Sequence, residues 1–210
     1  MLDKQFQPQA RRLTSRAGVE AEDVETLQSA ALKISRKLEE IIDERSANQI
    51  FDRYVVEMAK HMPAVVFPQP TTAHQIRNQK PILFLSILVA ASVGLIPLEP
   101  QEAMNDLLMN TLAHCVIRLG GKSLELVQAL TVMVIWYRPP KRYEQMNFYQ
   151  LTHIAAIMAI DVGMGKCTPG SKNAKGQLVT DQARVPKYLM HSGTAEARRT
   201  WLGCYFLCSK

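Results

Sequence analysis

Cysteine is scarce in this sequence, and the four present (Cys115, Cys167, Cys204 and Cys208) are too few and too scattered for a disulfide framework. The opening MLDKQFQPQARR has no apolar core, so no secretory signal is expected and the thiols are read as free in a reducing compartment. Long charge-free runs are also wanting. Only Pro81 to Leu98 (PILFLSILVAASVGLIPL) approaches the length of a bilayer span, and it carries Ser86, Ser92, Gly94 and Pro97. A helix buried inside a helical domain is the expectation there, and no membrane association is expected. The net charge is +6 and the pI near 9.2, yet basic residues gather only at Arg11-Arg12-Arg16, Lys141-Arg142 and Arg198-Arg199. That dispersal reads as a generally basic surface rather than a nucleic-acid groove.

Closely spaced chemistry is missing as well. Cys204 and Cys208 lie one helical turn apart, and Cys167 or one of the five histidines would have to complete a zinc site, but no second pair of ligands stands opposite them. Neither a metal nor any other cofactor is expected. No Ser, Cys or carboxylate pairs with a histidine at a spacing that predicts a shared site, so the chain is not read as an enzyme. Gly120-Gly121-Lys122-Ser123 is similar to the end of a phosphate-cradling loop, but Val116 stands where the first glycine belongs and a helix, not a strand, precedes it. The two glycines read as a helix stop and Ser123 as the cap of the next helix. Gly163-Met164-Gly165-Lys166 reads as a second helix stop.

What is abundant is apolar residues, 47% of 210 positions, enough to bury a sizeable core. Residues 1–20 are polar and read as a flexible leader. Val24, Leu27, Ala31, Ile34, Leu38 and Ile41 alternate in steps of three and four, the seam of an amphipathic helix over 21–44 that either pairs two chains as a short coiled coil, giving a homodimer, or lies on its own domain. Ser46 is a candidate cap for a helix through Met62, Thr71 or Thr72 for a short one to Gln79. Pro81 suits the first position of the charge-free helix, and Pro100 opens another that turns Met104, Leu107, Leu108, Leu112, Cys115, Val116 and Leu119 inward. Ser123 to Tyr137 and about Gln145 to Val162 form a helical hairpin broken by Arg138-Pro139-Pro140, because proline lacks the amide hydrogen a helix needs.

In the hairpin's second helix the polar residues Asn147, Gln150, His153 and Asp161 share one narrow arc, while Tyr149, Ile154, Ala155, Ile157, Met158, Ile160 and Val162 cover most of the rest. Enclosure by other helices is therefore expected, with His153 a hydrogen-bonded structural residue. The segment from Gly163 to about Lys187 reads as a loop, and Gly193-Thr194 leads into a last helix with Trp201, Cys204, Tyr205 and Phe206. The fold class expected is all-α, an irregular multi-helix bundle built around the hairpin. An effector entering such a bundle would do so near Trp136, Tyr149 and His153.

Several separated blocks carry a resemblance: Val66-Phe67-Pro68, Lys80-Pro81-Ile82-Leu83 with Leu85 to Ser92, Lys122 to Leu130, Ile135-Trp136-Tyr137 before Pro139-Pro140, Phe148-Tyr149-Gln150-Leu151 with His153 to Gly165, and Glu196 to Tyr205. In this order they resemble the fungal-specific transcription factor domain, the middle homology region of binuclear zinc cluster regulators, over most of Arg45 to Ser209. The resemblance implies an all-α regulatory domain at 45–210, truncated at its C-terminus relative to the family, in a nuclear regulator of a metabolic or secondary-metabolite gene cluster. It implies the transcription machinery or a partner transcription factor as partners and a small molecule as a candidate effector. The run of six cysteines that builds the zinc cluster is not in this sequence, which argues against direct DNA contact by this chain, and no DNA-binding residue is assigned. The alternative reading is a small helical enzyme or ligand-binding protein of a biosynthetic pathway.

Overall fold

Local signals set most helix ends in the computed structural model, which describes residues 29, 32–165 and 194–209. Eight α-helices follow one another among them: α1 at 32–41, α2 at Glu44–Arg53, α3 at Ala73–Gln79, α4 at Pro81–Ala91, α5 at Leu98–Leu112, α6 at Leu124–Ile135, α7 at Phe148–Asp161 and α8 at Ala195–Cys208. No strand occurs among the described residues, so the fold is all-α.

Thr72 caps α3 in a reciprocal box with Gln75, each side chain accepting from the other's backbone N–H. Ser123 accepts from Leu126 N at 3.2 Å to start α6, Thr194 accepts from Ala197 N at 3.1 Å to start α8, and Pro81 holds the first position of α4. Gly120, with φ of 61°, turns the chain between α5 and α6 in a conformation that side chains with a Cβ avoid. Several expected ends move, and the charge-free run expected as one buried helix to Leu98 is helical only to Ala91, with Val93, Leu95 and Leu98 exposed beyond it. The cap placed at Ser46 is Asp43, whose carboxylate accepts from both Ser46 N and Ser46 Oγ. The helix assigned to Pro100 starts two residues earlier after Pro97, and α7 starts at Phe148 because Tyr143–Gln145 takes up a short 3₁₀ turn of its own. Beyond Arg53 and Leu112 the helices widen to i+5 hydrogen bonding, as in Ala59 N to Tyr54 O and Leu119 N to His114 O.

The hub of the bundle is α4 rather than the α6–α7 hairpin. Every residue from Pro81 to Val89 is buried, and α2, α3, α5 and α6 all pack on this one helix. A helix that is apolar all round gains most when neighbours cover every side, and this one has no polar face to leave in water. Its single internal hydroxyl, Ser86, donates to Ala129 O of α6 at 2.7 Å. Phe84 stacks obliquely on Phe51 of α2, which in turn meets Phe67 of the connector before α3. α6 lies on the other side of α4 and carries α7 and α8 outside it. Gly203 lets α8 approach closely, since a Cβ there would stand 2.6 Å from Ala64 Cβ. Eleven residues of α4 fall well short of a bilayer, and among the described residues no helix is long and apolar enough to cross a membrane.

Two expectations about faces need correction or division. The hairpin's second helix is not enclosed: Leu151, Ala155, Met158 and Ala159 face inward, whereas Tyr149, His153, Ile157 and Ile160 form an outer stripe with Tyr149 72% exposed and Ile157 60%. Apolar residues all round a helix do not by themselves bring a second layer of partners. For α1, Ile34 and Leu38 are buried in this chain's own core, and Arg77 of α3 clasps α1 through Glu39 at 2.5 Å and Ser35 O at 3.3 Å. These described turns of the seam lie on their own domain; Val24, Leu27 and Ala31 fall outside the described residues, as do the 1–20 leader and most of the expected loop up to Lys187.

Candidate functional site

Residues four and three apart on α5 put Glu102, Asn105, Asp106 and Met109 on one side of that helix. Opposite stand Met133 near the end of α6 and the segment that the two prolines prevent from being helical, Tyr137-Arg138-Pro139-Pro140-Lys141, followed by Gln145 and Asn147. These residues line a cavity of about 380 Å³, within the range that takes a small molecule. Its frame is held by few but specific contacts. Tyr137 donates its hydroxyl to Asn147 Oδ1 at 3.0 Å and accepts from Asn147 N at 3.1 Å, while its ring meets Phe148 edge-on at 5.3 Å. Lys141 Nζ reaches Glu102 Oε1 at 2.7 Å, tying the loop to α5. Arg138 lines the same cavity, and its Nη1 is buried with no hydrogen-bond partner.

A second polar cluster joins α8 to the core. Lys80, just before α4, pairs with Glu196 and donates to Gln128 Oε1 at 3.1 Å; Gln128 Nε2 donates to Glu196 Oε1 at 2.8 Å and to Thr200 Oγ1 at 3.4 Å. Burial alone would raise the Glu196 pKa, but hydrogen bonds from Lys80 and Gln128 and the charges of Lys80 and Arg199 overcome it and hold the carboxyl below its ordinary value. A group depressed in this way binds fewer protons folded than unfolded, so its stabilisation is complete above the ordinary carboxylate pKa and is lost as pH falls through the folded value. Glu196→Gln should remove that slope. Denaturant titrations of both proteins from neutral pH into acid should show the wild-type advantage shrinking; a constant gap would refute the assignment.

The third feature is Glu125 of α6, whose Oε1 accepts from Ile82 N at 2.7 Å and Leu83 N at 3.3 Å. No side chain caps α4 locally, so this carboxylate from another helix serves as its cap. Burial pushes the Glu125 carboxyl above the usual range, against the two amides and the charge of Lys80.

Of the residues singled out in the sequence, Trp136 ends α6 and is half-buried against the core, Tyr149 meets Phe148 edge-on from the surface, and His153 is exposed on α7. None of the three lines the cavity, although Trp136 is two positions from Arg138. Cys204 is buried with its Sγ 3.4 Å from Thr131 Oγ1, while Cys208 is exposed, and no grouping of three metal-binding side chains occurs among the described residues. Burial pushes the Cys204 and Cys115 thiols up, which suits packing rather than nucleophilic chemistry. The residues that sequence reading missed are Arg138, Glu125 and Gln128. The last two had a signal, being, with Thr131, polar positions three apart in the mostly apolar run Leu124–Ile135.

No family model matches the chain, and no solved structure does. Curated relatives do match. The chain is 39% identical to the transcription factor pbcR of Emericella nidulans over 176 residues, covering 80% of this chain and 23% of that protein. It is 30% identical to the transcription factor himD of Aspergillus japonicus over 121 residues (58% of this chain, 20% of that protein), and 26% identical to the transcriptional regulator WAR1 of Candida albicans over 170 residues (80% and 17%). The chain is thus related to fungal transcription factors, and it spans less than a quarter of the length of each. These relatives are named as transcription factors or transcriptional regulators.

Proposed function

We propose that this chain is the regulatory body of a fungal transcription regulator, with 45–210 corresponding to the fungal-specific transcription factor domain and DNA reading supplied from outside that region. It works in the nucleus with the transcription machinery or a partner transcription factor and controls a metabolic or secondary-metabolite gene cluster. The observation that carries this reading is the 39% identity to pbcR across four-fifths of the chain. An all-α body with a ligand-sized cavity supports a role in receiving a signal.

Deletion of the gene, read by RNA sequencing, should change a coherent set of transcripts, and a fluorescent fusion should concentrate in the nucleus. An unchanged transcriptome with one metabolic intermediate accumulating would overturn the reading in favour of an enzyme.

A further inference from the structure

The helices of the bundle are not all seated in the same way. Bulky side chains that are fully enclosed, such as Leu83, Leu88, Met104, Leu126 and Leu130, belong to α4, α5 and α6, whereas α8 buries only Ala197, Thr200, Gly203 and Cys204. The large apolar residues Leu202, Tyr205 and Phe206 of α8 are exposed, and Trp201 is half-buried beside Gly165. Burial of large apolar side chains is what ordinarily seats a helix, so α8 draws little from that source. Polar contacts take its place. From α6, Gln128 donates to Glu196 Oε1 at 2.8 Å and to Thr200 Oγ1 at 3.4 Å, Thr131 Oγ1 stands 3.4 Å from Cys204 Sγ, and Lys80 closes the row on Glu196. The partners recur three apart on α6 and four apart on α8, so the two helices meet along one polar row. Such contacts exchange for contacts with water at small net cost once solvent reaches them. Solvent has a way in, because Lys80, Glu196 and Arg199 line a cavity of about 750 Å³ between the 66–71 connector, α3 and the first turn of α8. Twenty-eight residues stand between Gly165 and Thr194, so no short covalent turn binds α8 to α7.

We infer that α8 is a releasable strap, clasped to α6 and the start of α4 through Lys80, Glu196, Gln128 and Thr200, which opens as one unit while the rest of the bundle stays folded. Opening bares the side of α6 that carries Gln128 and Thr131, together with Ala64, on which Gly203 now rests. A two-position element of this kind suits a body that receives a signal. For that use the strap rests on the regulator reading, while its opening is measured apart from it.

Hydrogen exchange of the purified full chain at neutral pH, followed by NMR or mass spectrometry over a series of urea concentrations below unfolding, tests the strap. Amides at 199–208 should exchange together, at least about tenfold faster than those of α4 and α6 and with little dependence on urea, as local opening does. Glu196→Ala, which removes the acceptor shared by Lys80 and Gln128, should speed exchange in α8 about tenfold or more and leave α4 unchanged. Gly203→Leu places a Cβ 2.6 Å from Ala64 Cβ and should hold the strap open. In a Trp136→Phe background its Trp201 emission should shift to the red while the α4 amides stay protected. Exchange of α8 at the rate of α4 at every urea concentration, rates graded upward toward Cys208 as in end fraying, equal acceleration of α4 by Glu196→Ala, or loss of α4 protection in Gly203→Leu each overturns the strap. Those results leave the transcript measurements untouched, whereas an unchanged transcriptome on gene deletion with α8 opening as expected would sink the regulator reading alone.

Discussion

Phe84→Ala is expected to lower stability by about 3–5 kcal/mol, the range for truncating a fully buried aromatic ring. The ring sits on α4, the helix on which four others pack, and touches Phe51, which itself bridges to Phe67. The space left behind is bounded by side chains from several helices held by other contacts, so it cannot collapse readily. For a domain stable by roughly 5–15 kcal/mol such a loss is a large share of the total, and steady-state abundance in the cell should fall with it. Chemical denaturation of the purified variant gives the value; a change under about 1 kcal/mol would mean that α4 is not the hub. Transcript changes in a Phe84→Ala strain would then reflect lost protein rather than a lost site.

The second large effect is expected at Glu125. Glu125→Ala removes the acceptor shared by Ile82 N and Leu83 N, two first-turn amides of α4 that no local side chain satisfies. Each unsatisfied buried donor costs about 1–3 kcal/mol, so a total loss of about 2–6 kcal/mol is expected. Glu125→Gln keeps an acceptor and should lose far less. The pH dependence separates charge from capping. The folded protein holds the Glu125 proton to higher pH than the unfolded chain does, so wild-type stability from this group falls as pH rises from the ordinary carboxylate value to the raised one, then stays level. This is opposite in sign to Glu196. Unfolding curves of wild type and Glu125→Gln across about pH 4–8 should diverge in that direction; parallel curves would show that the carboxyl is not perturbed.

Much of the fold was legible along the chain because its signals are local. Thr72, Pro81, Ser123 and Thr194 act within a turn of where they stand, and the two prolines after Arg138 end α6 through their own covalent geometry. The candidate site was legible only in part. Trp136 was close to it in sequence, but the cavity takes its opposite wall from α5, some thirty residues earlier, and no periodicity reports which face of one helix meets a particular loop. The relation to fungal transcription factors was carried by separated blocks of residues, and the match to pbcR covers 80% of the chain.

By itself, then, the sequence determined an all-α chain, many helix ends, the burial of the first half of the charge-free run at Pro81–Ala91 and the relation to fungal regulators. Tertiary structure alone decided that α4 is surrounded whereas the hairpin's second helix is not, that Tyr149, Ile157 and Ile160 stay outside, and that Arg138 Nη1 is buried without a hydrogen-bond partner. The reason is one of range. Caps and breakers act through bonds within a few residues, but burial depends on how many helices are available to cover a face, and satisfaction of a buried charge depends on atoms that only packing brings near.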